Sequence, residues 1–95
     1  MAYIEEQAQQ WFLSGDLLMG NADVVLAESE GLSIGESLMI NFSKVRHVDT
    51  AALGLMTAWL RRGQRESCDV TFTHVSENLK SLATLYGVIE FLEIN

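Results

Sequence analysis

The chain has 95 residues, 48% of them hydrophobic and 20% charged, with no proline and a formal net charge of −7. That length sets one domain, residues 1–95, and that hydrophobic content excludes a chain left disordered because burial cannot offset its conformational entropy. The negative charge excludes nonspecific binding to nucleic acid or anionic lipid, and no apolar run reaches the roughly 18 residues of a membrane span.

No basic n-region precedes an apolar h-region at the N-terminus, so the expectation is a soluble cytoplasmic protein without direct membrane insertion. Cys68 is the single cysteine, and His47 and His74 stand apart, so neither an internal disulfide nor a metal site is expected. Charge is spread unevenly. Ser37 to Arg65 hold five cations (Lys44, Arg46, Arg61, Arg62, Arg65) and one anion, Asp49, a local charge of +4 against −11 in the other residues. Such a reversal on an acidic chain points to a docking surface for an acidic partner, with ordinary solvated charge as the alternative.

In chain order, Ala2 to Gln7 reads as an edge strand paired with Trp11 to Leu17, which closes in a Gly-Asp turn signal. Asn21 is placed to cap a helix from Ala22 to Glu30, with Asp23 in its first turn and Gly31 as its stop. Gly31 to Gly35 reads as a turn. Ser37 to Val45 mixes Leu38, Ile40, Phe42 and Val45 with Met39, the pattern of a central strand covered on both faces. Asp49 or Thr50 caps the next helix, which runs to about Glu66. Asp69 to Val75 alternates Val70, Phe72 and His74 against Thr71 and Thr73. Ser76 caps a last helix carrying Leu79, Leu82, Ala83 and Tyr86 before Gly87, and Phe91 to Ile94 reads as a final short strand. The resulting class is α/β: a mixed, mainly parallel sheet of four to five strands with about three helices packed on it.

The helix after Asp49 carries the most information. With residues placed about 100° apart, Ala52, Leu53, Leu55, Met56, Trp59, Leu60 and Gly63 fill one apolar arc that packs on the sheet. The opposite face carries Thr50, Ala51, Gly54, Thr57 and Ala58, with Arg61 and Arg65 further along. A solvated helix surface more often carries Glu, Lys and Gln. Small residues let another backbone approach and arginines fork onto carboxylates, so this face, with Asp49 at its head, is the expected partner-binding site. The alternative is that a loop of the same chain lies over it.

Catalysis finds no support. A nucleophilic Thr50 needs an oriented base, and His47 precedes the helix with no evident partner. The sequence has no G-x-S-x-G elbow, no phosphate loop of the GxxxxGK[ST] kind and no GxGxxG. Trp11, Trp59 and Phe72 read as core rather than base-stacking platforms, because no basic residues interleave with them. No catalytic residue and no cofactor is expected.

The segment INFSKVRHVDTAALGLM resembles the characteristic motif of STAS domains, the sulphate transporter and anti-sigma factor antagonist family, in which a strand ends at an Asp followed by hydroxyl, small, small and Leu. LSGDL is similar to the family's early strand and turn, and DVTFTHVSENLKSLATLYGV to its later strand and helix. Leu18 departs from the wider family, where an acid often follows that turn. Two branches imply different roles. In anti-sigma factor antagonists a partner kinase phosphorylates a Ser or Thr two residues after the Asp, a position held here by Ala51, although Thr50 is a neighbouring hydroxyl. The other branch is the MlaB type, the small STAS subunit of the bacterial phospholipid ABC transporter that maintains outer-membrane lipid asymmetry. It is similar in short length, in Val-Asp-Thr followed by two small residues and Leu, and in LATLYGV from Leu82 to Val88. That resemblance implies a non-enzymatic protein that binds the cytoplasmic ATPase subunit, peripheral to the inner membrane, with Thr50 at the contact. An anti-sigma factor kinase as partner and a small ligand at the same helix end are the alternatives, and homo-oligomer formation stays open.

Overall fold

The computed structural model describes residues 3–92 and 94. Ala2, where the edge strand is expected to begin, lies outside them. The elements run β1 (Ile4–Gln7), β2 (Gln10–Leu17), α1 (Ala22–Glu30), β3 (Ser37–Val48), α2 (Thr50–Arg65), β4 (Asp69–Thr73), α3 (Glu77–Leu85) and a 3-10 turn at Ile89–Phe91. The strands lie in the order β1-β2-β3-β4, with β1 antiparallel to β2 and the other pairs parallel. A helix linking two parallel neighbours crosses over right-handed. Because β2, β3 and β4 advance in one direction, α1 and α2 must fall on the same face of the sheet, and α3 packs beside α2.

β3 therefore differs from the expectation of cover on both faces. Leu38, Ile40 and Phe42 point into the core, whereas on the other face Met39 is 36% exposed and the residue that is buried is the polar Asn41, whose Oδ1 accepts from the Ser43 amide at 2.8 Å. The mixed pattern has a mechanical origin. Against β2, the register slips between Phe12 and Ser14 and again between Gly15 and Asp16, each time adding one residue on β3. Each bulge reverses the inward phase. Val45 and then Val48 thus pack on the core after Phe42. Gly15 takes a φ of 81° at the second slip, a left-handed conformation that glycine adopts without a Cβ penalty.

Other features depart from the sequence pattern, beginning with β3, which runs on to Val48 rather than ending at Val45. β4 stops at Thr73, because His74 turns to a φ of 58° and is exposed, while Val75 returns to the core. Of the expected last strand, Glu93 lies outside the described residues; Phe91 instead closes a 3-10 turn from Ile89, and Ile94 makes one parallel bridge to Phe72. Asn21 makes no side-chain cap to α1. Its Oδ1 accepts from the Leu18 amide at 2.9 Å and its Nδ2 donates to the Asp16 carbonyl at 2.6 Å, so it closes the turn before the helix. In α3, Leu79 and Ala83 are buried as the helical spacing predicts, but Tyr86 is 60% exposed.

The core forms where α2 crosses the sheet. Trp11 and Trp59 meet edge to face at 6.0 Å, a geometry worth about 0.5–1.5 kcal/mol beyond area burial. The Trp59 indole donates to Ser29 Oγ at 2.9 Å, and that hydroxyl donates to the Leu26 carbonyl at 2.6 Å. Arg62 donates to the Ser29 carbonyl at 2.8 Å and the Leu32 carbonyl at 2.5 Å, supplying the cation that the last turn of α1 lacks. Glu28 accepts from the Tyr3 and Ile4 amides at 3.0 and 2.8 Å and fastens the start of β1 to α1.

Two glycines of α2 are opposites. A Cβ on Gly63 would lie 2.7 Å from both the Cys68 carbonyl oxygen and Val70 Cγ2, whereas one on Gly54 would meet nothing within 4 Å among the described residues. Gly63→Ala should therefore lower stability, the overpacking of about 1–3 kcal/mol exceeding the roughly 1 kcal/mol gained in helix propensity. Gly54→Ala should raise stability by up to about 1 kcal/mol. Urea midpoints of the two variants against wild type check both signs.

Cys68 is buried, and its thiol donates to the Ile34 carbonyl at 3.4 Å. Burial raises the thiol above its ordinary range, with Asp69 and Glu66 pushing the same way and Arg62 opposing. The reactive thiolate is then scarce near pH 8. Maleimide labelling of the folded protein should be slow there and quicken only as pH rises above the ordinary thiol range, while urea-unfolded protein labels rapidly. Fast labelling of folded protein at pH 8, followed by intact mass, would contradict the burial argument.

Candidate functional site

The C-terminal ends of the parallel strands deliver three strand-to-helix junctions to one edge of the sheet, the place where open α/β sheets present their binding groups. Two of these junctions are held by one side chain. Asp49 is extended, with a φ of −136° and a ψ of −166°, and its Oδ1 accepts from the Ala51 amide at 2.8 Å as the cap of α2. Its Oδ2 accepts from the Met19 amide at 2.9 Å, and its own amide donates to the Leu17 carbonyl at 3.3 Å. Of the two expected caps, Asp49 is the one used.

Thr50 opens α2 half-buried, and no side-chain hydrogen bond among the described residues involves its hydroxyl. Ala51, Thr57 and Ala58 are also half-buried, and the Thr57 hydroxyl turns back to donate to the Leu53 carbonyl at 2.9 Å. Gly54 is exposed with open space above it. Arg61 and Arg65 are exposed, and neither takes part in an ion pair among the described residues. All of these sit on α2, over about 24 Å at 1.5 Å per residue. The opposite arc is the core side: Ala52, Leu53, Leu55, Met56, Trp59 and Gly63 are buried and Leu60 is half-buried.

Two features at the edge escape sequence reading. Met19 is 76% exposed beside the start of α2, placed there by the hydrogen bond its amide donates to Asp49 Oδ2. His47, which has no evident partner in the sequence, pairs through Nδ1 with Asp16 Oδ1 at 2.8 Å. The two are 31 residues apart, and only the strand register that sets Asp16 opposite His47 brings them together. No spacing in the linear sequence signals either contact. The pairing also turns His47 toward β2, and no hydrogen bond joins it to Thr50. Among the described residues, no helix is long and apolar enough to cross a membrane.

With this geometry in view, the family model described as "Mlab, STAS domain" matches residues 3–93. The chain belongs to the STAS domain family, in its MlaB type. Solved STAS-like structures agree on the fold. The anti-sigma factor antagonist SpoIIAA in its unphosphorylated form superposes with a TM-score of 0.73 at 13% identity, over 97% of this chain and 85% of that one. A sulfate transporter family protein from Wolinella succinogenes does so with a TM-score of 0.71 at 15% identity, over 90% and 74% of the two chains. Comparison with curated proteins gives no match. At these identities the likeness to solved structures is one of fold.

The double role of Asp49 in this STAS domain is testable by what each replacement can accept. Asp49→Ala loses the cap and the Met19 bond together, and the cap alone is worth about 0.5–2 kcal/mol. Asp49→Asn keeps one carbonyl oxygen and should fall between wild type and the alanine variant. Urea unfolding should rank the three in that order, and an alanine variant as stable as wild type would show the junction to be held by other contacts.

Proposed function

We propose that this STAS domain is a non-enzymatic subunit that binds the cytoplasmic ATPase of a phospholipid ABC transporter and supports its assembly or activity. The observation that carries the reading is the MlaB-type match along residues 3–93. The proposed contact is the face of α2 that carries Asp49, Thr50, Ala51, Gly54, Thr57, Ala58, Arg61 and Arg65. Its small, open first turns favour close approach of another backbone, and the positive end of the helix dipole favours an acceptor from the partner. Through that ATPase the chain sits at the inner face of the membrane without entering it.

A second reading rests on the likeness to SpoIIAA: an anti-sigma factor antagonist switched by a partner kinase. Ala51 speaks against it, since it occupies the acceptor position expected in that branch. Incubation with an anti-sigma-type kinase and ATP should leave the intact mass unchanged, and stoichiometric phosphate on Thr50 would favour this second reading instead.

Thr50 separates contact from scaffold. At the first position of α2, Asp and Ser suit the helix N-terminus as well as Thr does, so Thr50→Asp and Thr50→Ser should melt within a few degrees of wild type. In a close-packed interface, Asp brings a charge whose desolvation costs several kcal/mol without a cationic partner. Thr50→Asp should then lose most binding to the ATPase, measured by calorimetry, while Thr50→Ser binds nearly as wild type. A variant that melts early would make Thr50 structural, and one that binds normally would move the partner to another surface.

A further inference from the structure

Between α1 and α2 runs a groove of about 430 Å³ that opens beside the proposed docking face. Its floor is Trp59, almost wholly buried, flanked by half-buried Leu26 and Ala58. Its lip on α2 carries Arg61 and Arg65. Arg62 and Glu66 also line it, but they are paired with each other at 2.8 Å, and Arg62 is further engaged with the end of α1. Glu30 stands on the α1 wall, beyond ion-pair distance of either free arginine.

The charge arrangement is informative because the chain has thirteen acids for six basic residues. Two like charges four residues apart on a helix repel each other, and acids are plentiful enough to neutralise both, yet none does so among the described residues. Guanidinium groups fork onto carboxylates in a planar, two-bond geometry. Residues four apart on any helix are close neighbours, so carboxylates at that spacing on an adjacent helix match Arg61 and Arg65. A small free anion would leave the half-buried Leu26 and Ala58 wet. A nucleic acid needs a run of cations along its backbone, whereas the groove offers only Arg61 and Arg65, enough for two carboxylates, in a chain of net charge −7.

We propose that the α1–α2 groove takes an acidic amphipathic helix of the partner protein. Its two carboxylates, one turn apart, meet Arg61 and Arg65, and an apolar side chain between them seats on Leu26 and Ala58 above Trp59. The proposal rests on the reading of α2 as the docking face and names what that partner must present.

The two indoles supply the readout, Trp59 at the groove floor and Trp11 sealed in the core. An 18-residue helical peptide with Glu at i and i+4 around a Leu is titrated into the ¹⁵N-labelled full chain. The Trp59 indole N–H should shift saturably while Trp11 stays fixed, and Arg61→Glu with Arg65→Glu should weaken the peptide at least tenfold. A peptide with Lys in place of Glu should give no shift. An unmoved Trp59 at millimolar peptide, equal binding of the Lys peptide, or an unaffected double variant each overturns the proposal. Because both arginines are exposed, the double variant is checked for an otherwise unchanged spectrum. A parallel measurement on the ATPase subunit separates the two readings. If Gly54→Leu abolishes that complex and the double variant does not, the docking face stands and the groove proposal falls. If Gly54→Leu leaves the complex intact, the docking face itself is refuted, and the groove is judged on the peptide alone.

Discussion

The carboxylate of Asp49 is the joint on which the binding edge depends. A helix begins with amides that have no partner within it, and a strand that feeds directly into a helix must supply one without lengthening the loop. Asp49 does this with one oxygen and uses the other to hold the Met19 amide of the neighbouring junction. The starts of α1 and α2 are thereby placed relative to each other by a single side chain. Since α2 also buries six residues of its inner face, its outer face is fixed in direction. A partner meeting Thr50, Ala51 and Gly54 would find a surface already ordered, which reduces the conformational entropy that association must overcome.

The basic segment resolves into two kinds of arginine once partners are known. Arg62 is an internal clasp, mostly shielded and tied to two carbonyls and a carboxylate. Arg61 and Arg65, on either side of it in sequence, have no such role. Periodicity put Arg61 and Arg65 together on the outer face, but it could not show that Arg62 reaches across to α1, because that contact spans about thirty residues. Local charge counts overstate a docking patch when one of the charges is structural, as here.

What could be read from the chain follows the range of the interactions concerned. The span of α1, the start of α2 and the inner arc of α2 are set by i, i+3 and i+4 relations and by short-range caps, and these are local. The phase change along β3 is visible in the sequence as Phe42, Val45 and Val48, yet its cause is a pair of bulges against β2, a tertiary event. Reading that phase change as cover on both faces confuses a slip in register with burial. The Asp16–His47 pair and the turn-closing role of Asn21 likewise depend on register and on a loop's path. Neither leaves a spacing that a linear reading can detect.

Gly54 and Gly63 weaken α2 for different reasons. Each costs α2 about 1 kcal/mol in helix propensity relative to alanine. For Gly63 the return lies inside the molecule, because α2 and β4 approach so closely that a methyl group would strike the Cys68 carbonyl. For Gly54 no such return exists among the described residues: the space above it is open, its φ does not lie in the left-handed region, and the residues on either side of its face are small as well. A destabilising residue without an internal reason, set one turn from a rigidly capped helix start, is what a surface needs when a second backbone must come close. The same reasoning separates this face from the end of α3, where Leu85 and Phe91 are exposed but the nearby glycine, Gly87, has a backbone reason of its own in a φ of 72°.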